Sequence, residues 1–445
     1  MTLIVREAPS FRELAAEWET LLPRSAVRTP FTHPRWCELW WHHFAENRLL
    51  VSDALKLLEV RDGRGILKAV APFVVTSRPS LPWLRIRSIR LIGADPGVTE
   101  LSTLVCAPED EAQVVAALLD YFFARRREWD LLSLGDLRAE GEGARVLGER
   151  ADLDGSRELF DYVLSLPPDW ETFKSSLKRN IKESLRKCYN APKRDGLTME
   201  LRVRSTPAEI GEALERWLQL HKMRSELTDT VTHRNVFAVD PPRAFVRAVV
   251  ADLATQGLAR IFELEIDGRV AASRIGFVLD NALYLYFSGY DPAFRQYSAM
   301  TTTVAEAIKW AIENGLDTVN LSPGNDVSKT RWSPTEITFR QTMLPSPSLR
   351  GRILYRVVRW INSAPAAAAL FSFARRRSHR ARADDSADAP ARSPAWPGGS
   401  PPGLAHEHAA ATASRSAAPV RASRNAPAET GDYAGAESVG AGDKK

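Results

Sequence analysis

The sequence predicts an α/β protein in which one unit occurs twice, each copy a mixed and mostly antiparallel sheet flanked by helices. Two observations favour this fold class. The chain has 445 residues, which is too long for one ordinary domain, and 44% of them are hydrophobic, enough to bury a core in each of two domains. The order of its predicted elements also appears twice, and such an internal repeat indicates a duplicated unit.

The repeat begins with a strand, an Asp-Gly turn and a second strand in each half of the chain. Asp62-Gly63 occupies the first turn and Asp267-Gly268 the second. Asp-Gly pairs favour tight hairpins because both residues accept positive φ angles. A helix and a short apolar strand then follow in both halves. These features lie at 57–73 and 109–134 in the first half, and at 261–277 and 298–321 in the second.

Helix and strand signals fit this division. Ser10 and Glu13 form the pattern of a capping box that starts a helix ending near Leu21. Thr206 and Glu209 repeat that pattern, with a proline between them at the first helical position. Further elements are predicted as a helix from Asp240-Pro241 through Ala254 and strands at 258–266, 270–279, 282–288 and 336–343.

Composition sets the predicted domain boundaries. After about residue 374 the chain contains mostly Ala, Pro, Ser, Gly and Arg, which bury too little apolar surface to offset the entropy of ordering. We therefore expect a disordered tail. The predicted regions are an N-terminal domain at 1–155, a C-terminal domain at 156–345, a basic amphipathic segment at 346–374 and the tail at 375–445.

Several classes of protein are excluded by residue usage. The three cysteines, Cys37, Cys106 and Cys188, are widely separated and lack the spacing of a disulfide framework or a zinc site, so we expect no metal. The N-terminus lacks the apolar stretch of a signal peptide, and no apolar run is long enough to cross a bilayer. We therefore expect a cytoplasmic protein.

Three motifs in this order resemble the CelD/BcsL family of the GNAT acyltransferase superfamily, which is linked to cellulose or exopolysaccharide biosynthesis. They are His33-Pro34 with Trp36, Trp40 and Trp41, the basic helix Leu177–Lys187, and Ser288–Asp291 followed by a long helix and 317–332. The resemblance spans about Val27 to Trp332. It implies two tandem GNAT folds, as in the Fem-type peptidoglycan aminoacyltransferases, and agrees with the internal repeat.

The resemblance implies that acetyl-CoA or another acyl-CoA is the donor. In GNAT folds the diphosphate of CoA binds at a helix N-terminus, where backbone N–H groups and the helix dipole attract anions. Ser298 and Met300 stand where glycines are usual, and we expect Ser298 to cap the helix and Arg295 to pair with phosphate. The loop implied here consists of Arg295, Gln296, Tyr297, Ser298, Ala299 and Met300.

Acyl transfer requires a base for the acceptor and an acid for the departing thiolate. Glu263 and Glu265 alternate with apolar residues on one predicted strand, so their carboxylates share a face and are the candidate bases. Tyr290, beside the presumed gap in the sheet, is the candidate acid. Tyr284 and Tyr286, two positions apart on the preceding strand, are alternatives.

Basic residues favour an anionic acceptor. Leu177, Ile181 and Leu185 form a buried stripe on the basic helix, beside cations that could bind a saccharide diphosphate, a lipid-linked saccharide or tRNA. No aromatic RNA-binding pattern accompanies them, so tRNA is the second choice. The predicted substrate-binding residues are Lys178, Lys182, Arg186, His221, Arg224, Asp291 and Lys329.

The segment at 349–360 interleaves four arginines with apolar residues, which is typical of a helix that lies on anionic lipid at the inner face of the plasma membrane. It could equally pack back on its own domain. The first functional hypothesis is an acyl-CoA-dependent N- or O-acyltransferase acting on a cell-envelope or exopolysaccharide precursor. The alternatives are a Fem-like transferase using aminoacyl-tRNA and a non-catalytic GNAT-fold partner in polysaccharide synthesis.

Overall fold

The computed structural model describes residues 3–48, 51–81, 84–93, 95, 97–150, 156–227 and 233–363. The chain divides by its internal contacts into two units, 1–406 and 407–445, and every described residue belongs to the first unit. The predicted tail at 375–445 lies outside the described residues.

Two sheets organise the described residues. The first has the strand order β1-β3-β4-β5-β7-β16, with β2 beside β3 and β6 beside β4. Its strands are β1 (Ile4–Glu7), β2 (Asn47–Arg48), β3 (Val51–Arg61), β4 (Leu67–Leu81), β5 (Leu84–Leu91), β6 (Val105–Cys106), β7 (Leu131–Leu132) and β16 (Leu344–Pro345).

The second sheet has the order β10-β11-β12-β13-β14-β9-β15-β8. Its strands are β8 (Asp136–Arg138), β9 (Arg157–Ser165), β10 (Met199–Arg204), β11 (Ala259–Ile266), β12 (Arg269–Leu279), β13 (Ala282–Tyr290), β14 (Thr318–Asn320) and β15 (Thr335–Gln341). The mixed sheets confirm the predicted fold class.

The helices pack on the faces of these sheets. They are α1 (Phe11–Leu21), α2 (Pro34–Phe44), α3 (Glu111–Ala124), α4 (Glu142–Arg150), α5 (Trp170–Ser176), α6 (Arg179–Arg194), α7 (Pro207–Ser225), α8 (Pro242–Thr255), α9 (Ala299–Glu313), α10 (Val327–Thr330) and α11 (Leu349–Ser363). In the described part of the chain, no helix is both long and apolar enough to cross a membrane.

The internal repeat is confirmed by topology. In the first copy β3, β4 and β5 pair antiparallel, and β5 then pairs parallel with β7. In the second copy β11, β12 and β13 pair antiparallel, and β13 then pairs parallel with β14. A helix precedes the parallel strand in each copy, α3 in the first and α9 in the second. A helical crossover of this kind is the usual way to join parallel strands.

The two copies exchange strands. β8, which follows the first copy, pairs with β15 in the second sheet, whereas β16, which follows the second copy, pairs with β7 in the first sheet. The halves of the chain are therefore tied together by main-chain hydrogen bonds. The domain boundaries at 155 and 345 stay predictions.

The hairpin turn predicted at an Asp-Gly pair has a different backbone conformation in each copy. Asp267 and Gly268 have φ angles of 51° and 73°, as a tight hairpin requires. The first hairpin was predicted to turn at Asp62-Gly63, and this is wrong. Gly65 takes the positive φ there, and Asp62 Oδ1 accepts from the N–H groups of Arg64 and Ile66 in a longer loop.

The predicted capping box is complete at the start of α7, whereas at the start of α1 only the bond to the Ser10 hydroxyl forms. The Ser10 hydroxyl accepts from the N–H of Glu13 at the start of α1, and Thr206 accepts from the N–H of Glu209 at the start of α7. The Glu209 carboxylate in turn accepts from the N–H of Thr206. These bonds form between residues close in sequence, which explains why both helix starts could be predicted from the sequence.

Gly289 lets α7 approach β13 closely. A Cβ atom at this position would lie 2.3 Å from the backbone nitrogen of His221 and 2.4 Å from the carbonyl carbon of Leu220. No side chain fits in that space, so the close approach of helix to strand depends on glycine.

We expect Gly289→Ala to lower the free energy of unfolding by about 1–3 kcal/mol, because α7 must move away from β13. Gly211→Ala is the matched control on the same helix, where an added Cβ meets nothing within 4 Å. It should gain about 0.5–1 kcal/mol. Urea denaturation measures both, and an unchanged midpoint for Gly289→Ala would contradict the packing argument.

Candidate active site

The second sheet opens between β13 and β14. The two strands pair only from Ala282 opposite Thr318 to Tyr284 opposite Asn320, where β14 ends. Beyond Tyr284, β13 continues to Tyr290 without a neighbouring strand on the side of β14. The backbone groups of its second half therefore face a gap, which we call the β13–β14 gap. A gap of this kind can receive an extended ligand that completes the strand's hydrogen bonds.

A β-bulge lies on β13 within the gap. Arg274 pairs with Ser288 but Gly276 pairs with Leu285, so two residues of β13, Tyr286 and Phe287, oppose the single residue between them on β12. The Trp217 indole donates to the carbonyl oxygen of Phe287 at 3.1 Å and holds the bulge against α7. Bulges redirect strands and side chains, and they are frequent beside active sites.

The chain leaves the gap through a 3₁₀ turn, Pro292–Tyr297, and enters α9 at Ser298. Ser298 has φ 53° and ψ 39°, a left-handed conformation that favours glycine. Its hydroxyl makes no capping bond, so the expectation that Ser298 caps α9 is wrong. At the start of α9 the N–H of Thr301 donates to the carbonyl oxygen of Ser298 at 2.9 Å. No side chain caps the helix, and the N–H groups of Ala299 and Met300 have no acceptor among the described residues, which suits an anion.

The other residues of the predicted CoA loop differ in their exposure to solvent. Arg295, Gln296 and Ser298 are exposed, whereas Tyr297 and Ala299 are buried. Met300 is half-buried and packs against a small apolar cluster that includes residues of β11 and β12. The polar side chains at the start of α9 thus face solvent, where a diphosphate can reach them.

Glu100, from the first half of the chain, contacts β13 where the gap opens. The Tyr284 hydroxyl donates to Glu100 Oε2 at 2.7 Å. Burial raises the pKa of Glu100 to about 7, although Lys329 and the Tyr284 hydrogen bond act to lower it. A carboxyl group with such a pKa can accept a proton near neutral pH, which a general base requires.

The loop that carries Glu100 is held from two sides. Asp95 Oδ1 accepts from the N–H groups of Gly97 and Val98 at 2.8 and 2.7 Å, and Asp95 Oδ2 accepts from the Trp40 indole at 2.8 Å. The Trp36 indole donates to the Thr99 hydroxyl at 3.2 Å. The tryptophans of the His33-Pro34 motif therefore position the loop that presents Glu100.

A second buried carboxylate lies at the end of β14. Asp161 is 3% exposed, and its Oδ2 accepts from the Asn320 side-chain amide at 2.7 Å. Its Oδ1 has no partner among the described residues. Burial raises the pKa of Asp161 to about 6, while the Asn320 bond and Lys329 lower it.

Lys329 lies among these acids and not in solvent. Its Nζ donates to the carbonyl and hydroxyl oxygens of Ser322 at 3.1 and 3.0 Å, and also to the carbonyl oxygen of Pro323. Burial lowers the pKa of Lys329, whereas Glu100 raises it. The predicted substrate residue is thus in electrostatic contact with the candidate base.

Further basic side chains surround the bulge on β13. Burial lowers the pKa of Arg274 to about 10, and the Nε atom of this residue has no hydrogen-bond partner among the described residues. The Arg224 guanidinium donates to the Ser288 hydroxyl at 2.9 Å and contacts His233. Buried cations at an open strand can receive an anionic group of a substrate.

His221 packs beside Arg224. It is 3% exposed, stacks on Trp217, and its Nδ1 lies 3.1 Å from the carbonyl oxygen of Ser288. Burial lowers the pKa of His221 to about 4, so the ring is neutral at pH 7. Arg224 and His221 therefore lie at the end of β13, near Tyr290, and their role in binding the acceptor stays a prediction.

A small cavity lies behind Glu100, between the two sheets. Its walls include Ser102, Ser133, Asp136, Arg157 and Gln341, and its volume is about 40 Å³. This space holds a few water molecules and no saccharide. Burial raises the pKa of Asp136 to about 6. The cavity therefore offers space for water beside Glu100.

The structure places Glu263 and Glu265 away from this gap. Glu263 is fully buried and forms ion pairs with Arg204 and Arg216, each at 2.8 Å. Arg204 also bonds to Glu265 at 3.2 Å. Both oxygens of Glu263 are engaged, so the geometry favours a structural ion pair that fastens α7 to β11. A role for either glutamate as the base stays a prediction.

The basic helix α6 is amphipathic, but it begins at Arg179 and not at Leu177, because Leu177 and Lys178 have extended backbone between α5 and α6. Ile181 and Leu185 are buried on α6, and Leu177 is buried just before it. Lys178 and Arg186 are exposed, and the Lys182 ammonium donates to the carbonyl oxygen of Ser175 at 2.6 Å. Asp291 accepts from the N–H of Ala293 at 2.9 Å and pairs with Arg269 at 3.3 Å. Asp291 thus shapes the turn before α9, and its binding role stays a prediction.

Sequence reasoning missed three residues of the site, Glu100, Asp161 and Arg274. Asp161 and Arg274 each interrupt an otherwise apolar strand, which is a readable sign of a buried functional charge. Glu100 lies in a loop of the first half and carries no such sign. In the described part of the chain, no group of three or more His, Cys, Asp or Glu residues is arranged to hold a metal ion.

Comparison with known proteins agrees with this geometry. Residues 175–330 match a family model described as an acetyltransferase (GNAT) domain. The crystal structure of FemX resembles the chain with a TM-score of 0.53 and 11% identity, over 76% of this chain and 97% of FemX. At that identity the likeness concerns the fold. No curated protein matches the chain significantly.

Two further solved structures align over similar lengths. The C-terminal domain of a putative lysylphosphatidylglycerol synthetase from Agrobacterium fabrum has a TM-score of 0.44 and 12% identity, over 79% of this chain and 97% of that one. A tandem GNAT protein from the clavulanic acid biosynthesis pathway has a TM-score of 0.38 and 11% identity, over 78% and 99%. The match of residues 175–330 to a GNAT acetyltransferase domain supports the prediction of a GNAT-type acyltransferase.

Proposed function

We propose that this protein transfers an acyl group from acyl-CoA to an amine or hydroxyl group of an anionic saccharide precursor of the cell envelope or an exopolysaccharide. The observation that carries the proposal is the β13–β14 gap, which opens beside a buried carboxyl group with a pKa near 7 and leads to the N-terminus of α9. Acetyl-CoA is the simplest donor. The finer resemblance to the CelD/BcsL family supports the saccharide as acceptor.

The start of α9 fits the diphosphate of the donor. The helix has no side-chain cap, and the side chains of Arg295 and Ser298 are exposed beside its start. The acyl-pantetheine arm would then extend along the second half of β13. A donor held in this way has its thioester close to the bulge and to Glu100.

The chemical step needs one proton acceptor and one proton donor. The acceptor's nitrogen or oxygen attacks the thioester carbonyl carbon while Glu100 takes its proton, directly or through a water in the cavity behind it. The carbon–sulfur bond then breaks, and CoA leaves as a thiolate that takes a proton, for which Tyr290 is our candidate donor. Lys329 and Arg274 supply positive charge while the oxyanion exists.

Cations around the gap support an anionic acceptor. Arg224, Arg274 and Lys329 lie at the bulge and at the end of β14, and α6 adds the exposed Lys178 and Arg186 nearby on the surface. Asp326 acts on all three buried cations in addition to Glu100 and Asp161, so the excess of positive charge comes from the exposed Lys178 and Arg186. A phosphate or carboxylate on the acceptor would balance this charge.

Calorimetry with acetyl-CoA tests the donor. We expect binding by the full chain and about tenfold weaker binding by Arg295→Ala, because a charge-assisted bond to phosphate is lost. Arg12→Ala, which removes an exposed arginine on α1, is the control. Retention of tRNA without acetyl-CoA binding would instead favour an aminoacyl-tRNA donor, and binding of neither would favour a non-catalytic partner.

Ser298→Gly tests the backbone at the same helix start. Glycine relieves the left-handed strain of Ser298, so we expect the free energy of unfolding to rise by about 1 kcal/mol without loss of acetyl-CoA affinity. Thermal denaturation and calorimetry give the two values. A loss of affinity would show that the Ser298 hydroxyl, and not the backbone, binds the donor.

Two glutamine variants distinguish the candidate bases. Glu100→Gln should lower kcat about 10²–10⁴-fold with little change in stability, since it removes the proton acceptor. Glu263→Gln should lower the free energy of unfolding by about 3 kcal/mol, because two arginines lose their buried partner, and leave kcat of the folded enzyme unchanged. Urea denaturation and initial rates measure both, and the reverse pattern would identify Glu263 as the base.

The pH dependence of kcat/KM reports on Glu100. Because burial raises the pKa of Glu100 to about 7, the group is protonated and inactive as a base below that pH. We expect kcat/KM to fall about tenfold per pH unit below pH 7 and to level off above it. Glu100→Gln should remove this acidic limb, and a limb that persists in the variant would assign it to another group.

A further inference from the structure

The amphipathic helix α11 is firmly attached to the first sheet by one face. The Arg350 guanidinium pairs with Asp130 at 3.1 Å, and the Asp130 side chain is 1% exposed. Gly351 lies against Ser346, whose backbone would be 2.7 Å from an added Cβ, and Leu354 is 4% exposed. The orientation of α11 about its own axis is therefore determined by this packing.

The apolar stripe of α11, formed by Leu349, Ile353 and Val357, is largely exposed with respect to the described residues. Leu349, Ile353 and Val357 are 77%, 53% and 44% exposed, and Trp360 is 65% exposed. The first three are spaced four residues apart, so they form one continuous line along the helix. The face of α11 that packs on the protein is the neighbouring one, which carries Arg350, Gly351 and Leu354.

Arginines run beside the apolar stripe. Arg352, Arg356 and Arg359 are exposed, and helix geometry places them on a line adjacent to Ile353 and Val357. The helix contains no aspartate or glutamate between Leu349 and Ser363. The outward surface of α11 is therefore both apolar and positively charged, with no acidic residue of its own to neutralise it.

We propose that this outward surface of α11 docks on the surface of an anionic lipid bilayer. An aliphatic stripe flanked by arginines can insert its apolar side chains between lipid headgroups while the guanidinium groups contact phosphates. The charge is complementary to anionic lipid. This inference concerns a separate surface and does not rest on the acyltransferase proposal.

A nucleic acid fits the same surface less well. RNA and DNA bind arginines through phosphates, but they gain nothing from exposed leucine, isoleucine and valine side chains. A second copy of the chain would meet its own arginines across a symmetric contact, where like charges repel. Both remain outcomes that the experiment can reveal.

Vesicle co-sedimentation of the full chain tests the proposal. We expect binding to phosphatidylcholine vesicles that contain about one third phosphatidylglycerol, and much weaker binding to phosphatidylcholine alone. Ile353→Glu with Val357→Glu should lower the partition constant by at least about tenfold, because the apolar side chains no longer insert. Arg352→Gln with Arg356→Gln and Arg359→Gln should lower it about 100-fold on the anionic vesicles.

Matched control variants carry the same kinds of substitution at exposed positions outside α11. Ile66→Glu with Val239→Glu replaces two other exposed apolar side chains, and Arg12→Gln with Arg64→Gln and Arg138→Gln removes three other exposed charges. None of the substituted residues is buried, so all variants should retain the wild-type melting temperature. The controls should bind the vesicles as the wild type does.

Three results would overturn the proposal. The first is equal vesicle binding by the wild type and both α11 variants. The second is retention of RNA on a filter by the wild type, lost in the arginine variant, with no vesicle binding. The third is self-association of the wild type, lost in the Ile353→Glu and Val357→Glu variant by analytical ultracentrifugation, again with no vesicle binding.

Discussion

The hydrogen bond from Tyr284 to Glu100 joins the two halves of the molecule at the point where the second sheet opens. Tyr284 is the last residue of β13 that pairs with β14, and Glu100 comes from the first half of the chain. The candidate base is therefore supplied by one copy of the repeat and the open strand by the other. Because the copies also exchange β8 and β16, neither side of this contact can move independently.

Buried charge is what makes this junction chemically useful. Glu100 and Asp161 are carboxyl groups whose pKa values burial raises, and Lys329 and Arg274 are cations whose pKa values burial lowers. Burial thus shifts the pKa of each group toward neutral pH, where the group can exchange a proton more readily. Such a cluster is costly to bury, and a protein retains it where a substrate or a proton uses it.

The two copies of the repeat contribute different features to the candidate site. The second copy has the β-bulge, the gap and the helix start that fits a diphosphate. The first copy supplies the loop at 95–100, which Trp36 and Trp40 hold in place. It also supports α11, through Asp130 and β16. The duplication therefore provides a catalytic sheet and a second sheet that completes and positions it.

The sequence by itself determined the duplicated α/β architecture, the capped starts of α1 and α7, and the helix and strand order around α9, because these depend on patterns within a few turns of chain. It also led to Lys329, Arg224 and His221 as candidates, and their role in binding stays a prediction. Only the tertiary structure decided that Glu100 reaches Tyr284, that Glu263 is neutralised by Arg204 and Arg216, and that the apolar stripe of α11 faces outward. Each of these outcomes depends on which distant segments pack together, and that information is absent from local sequence patterns.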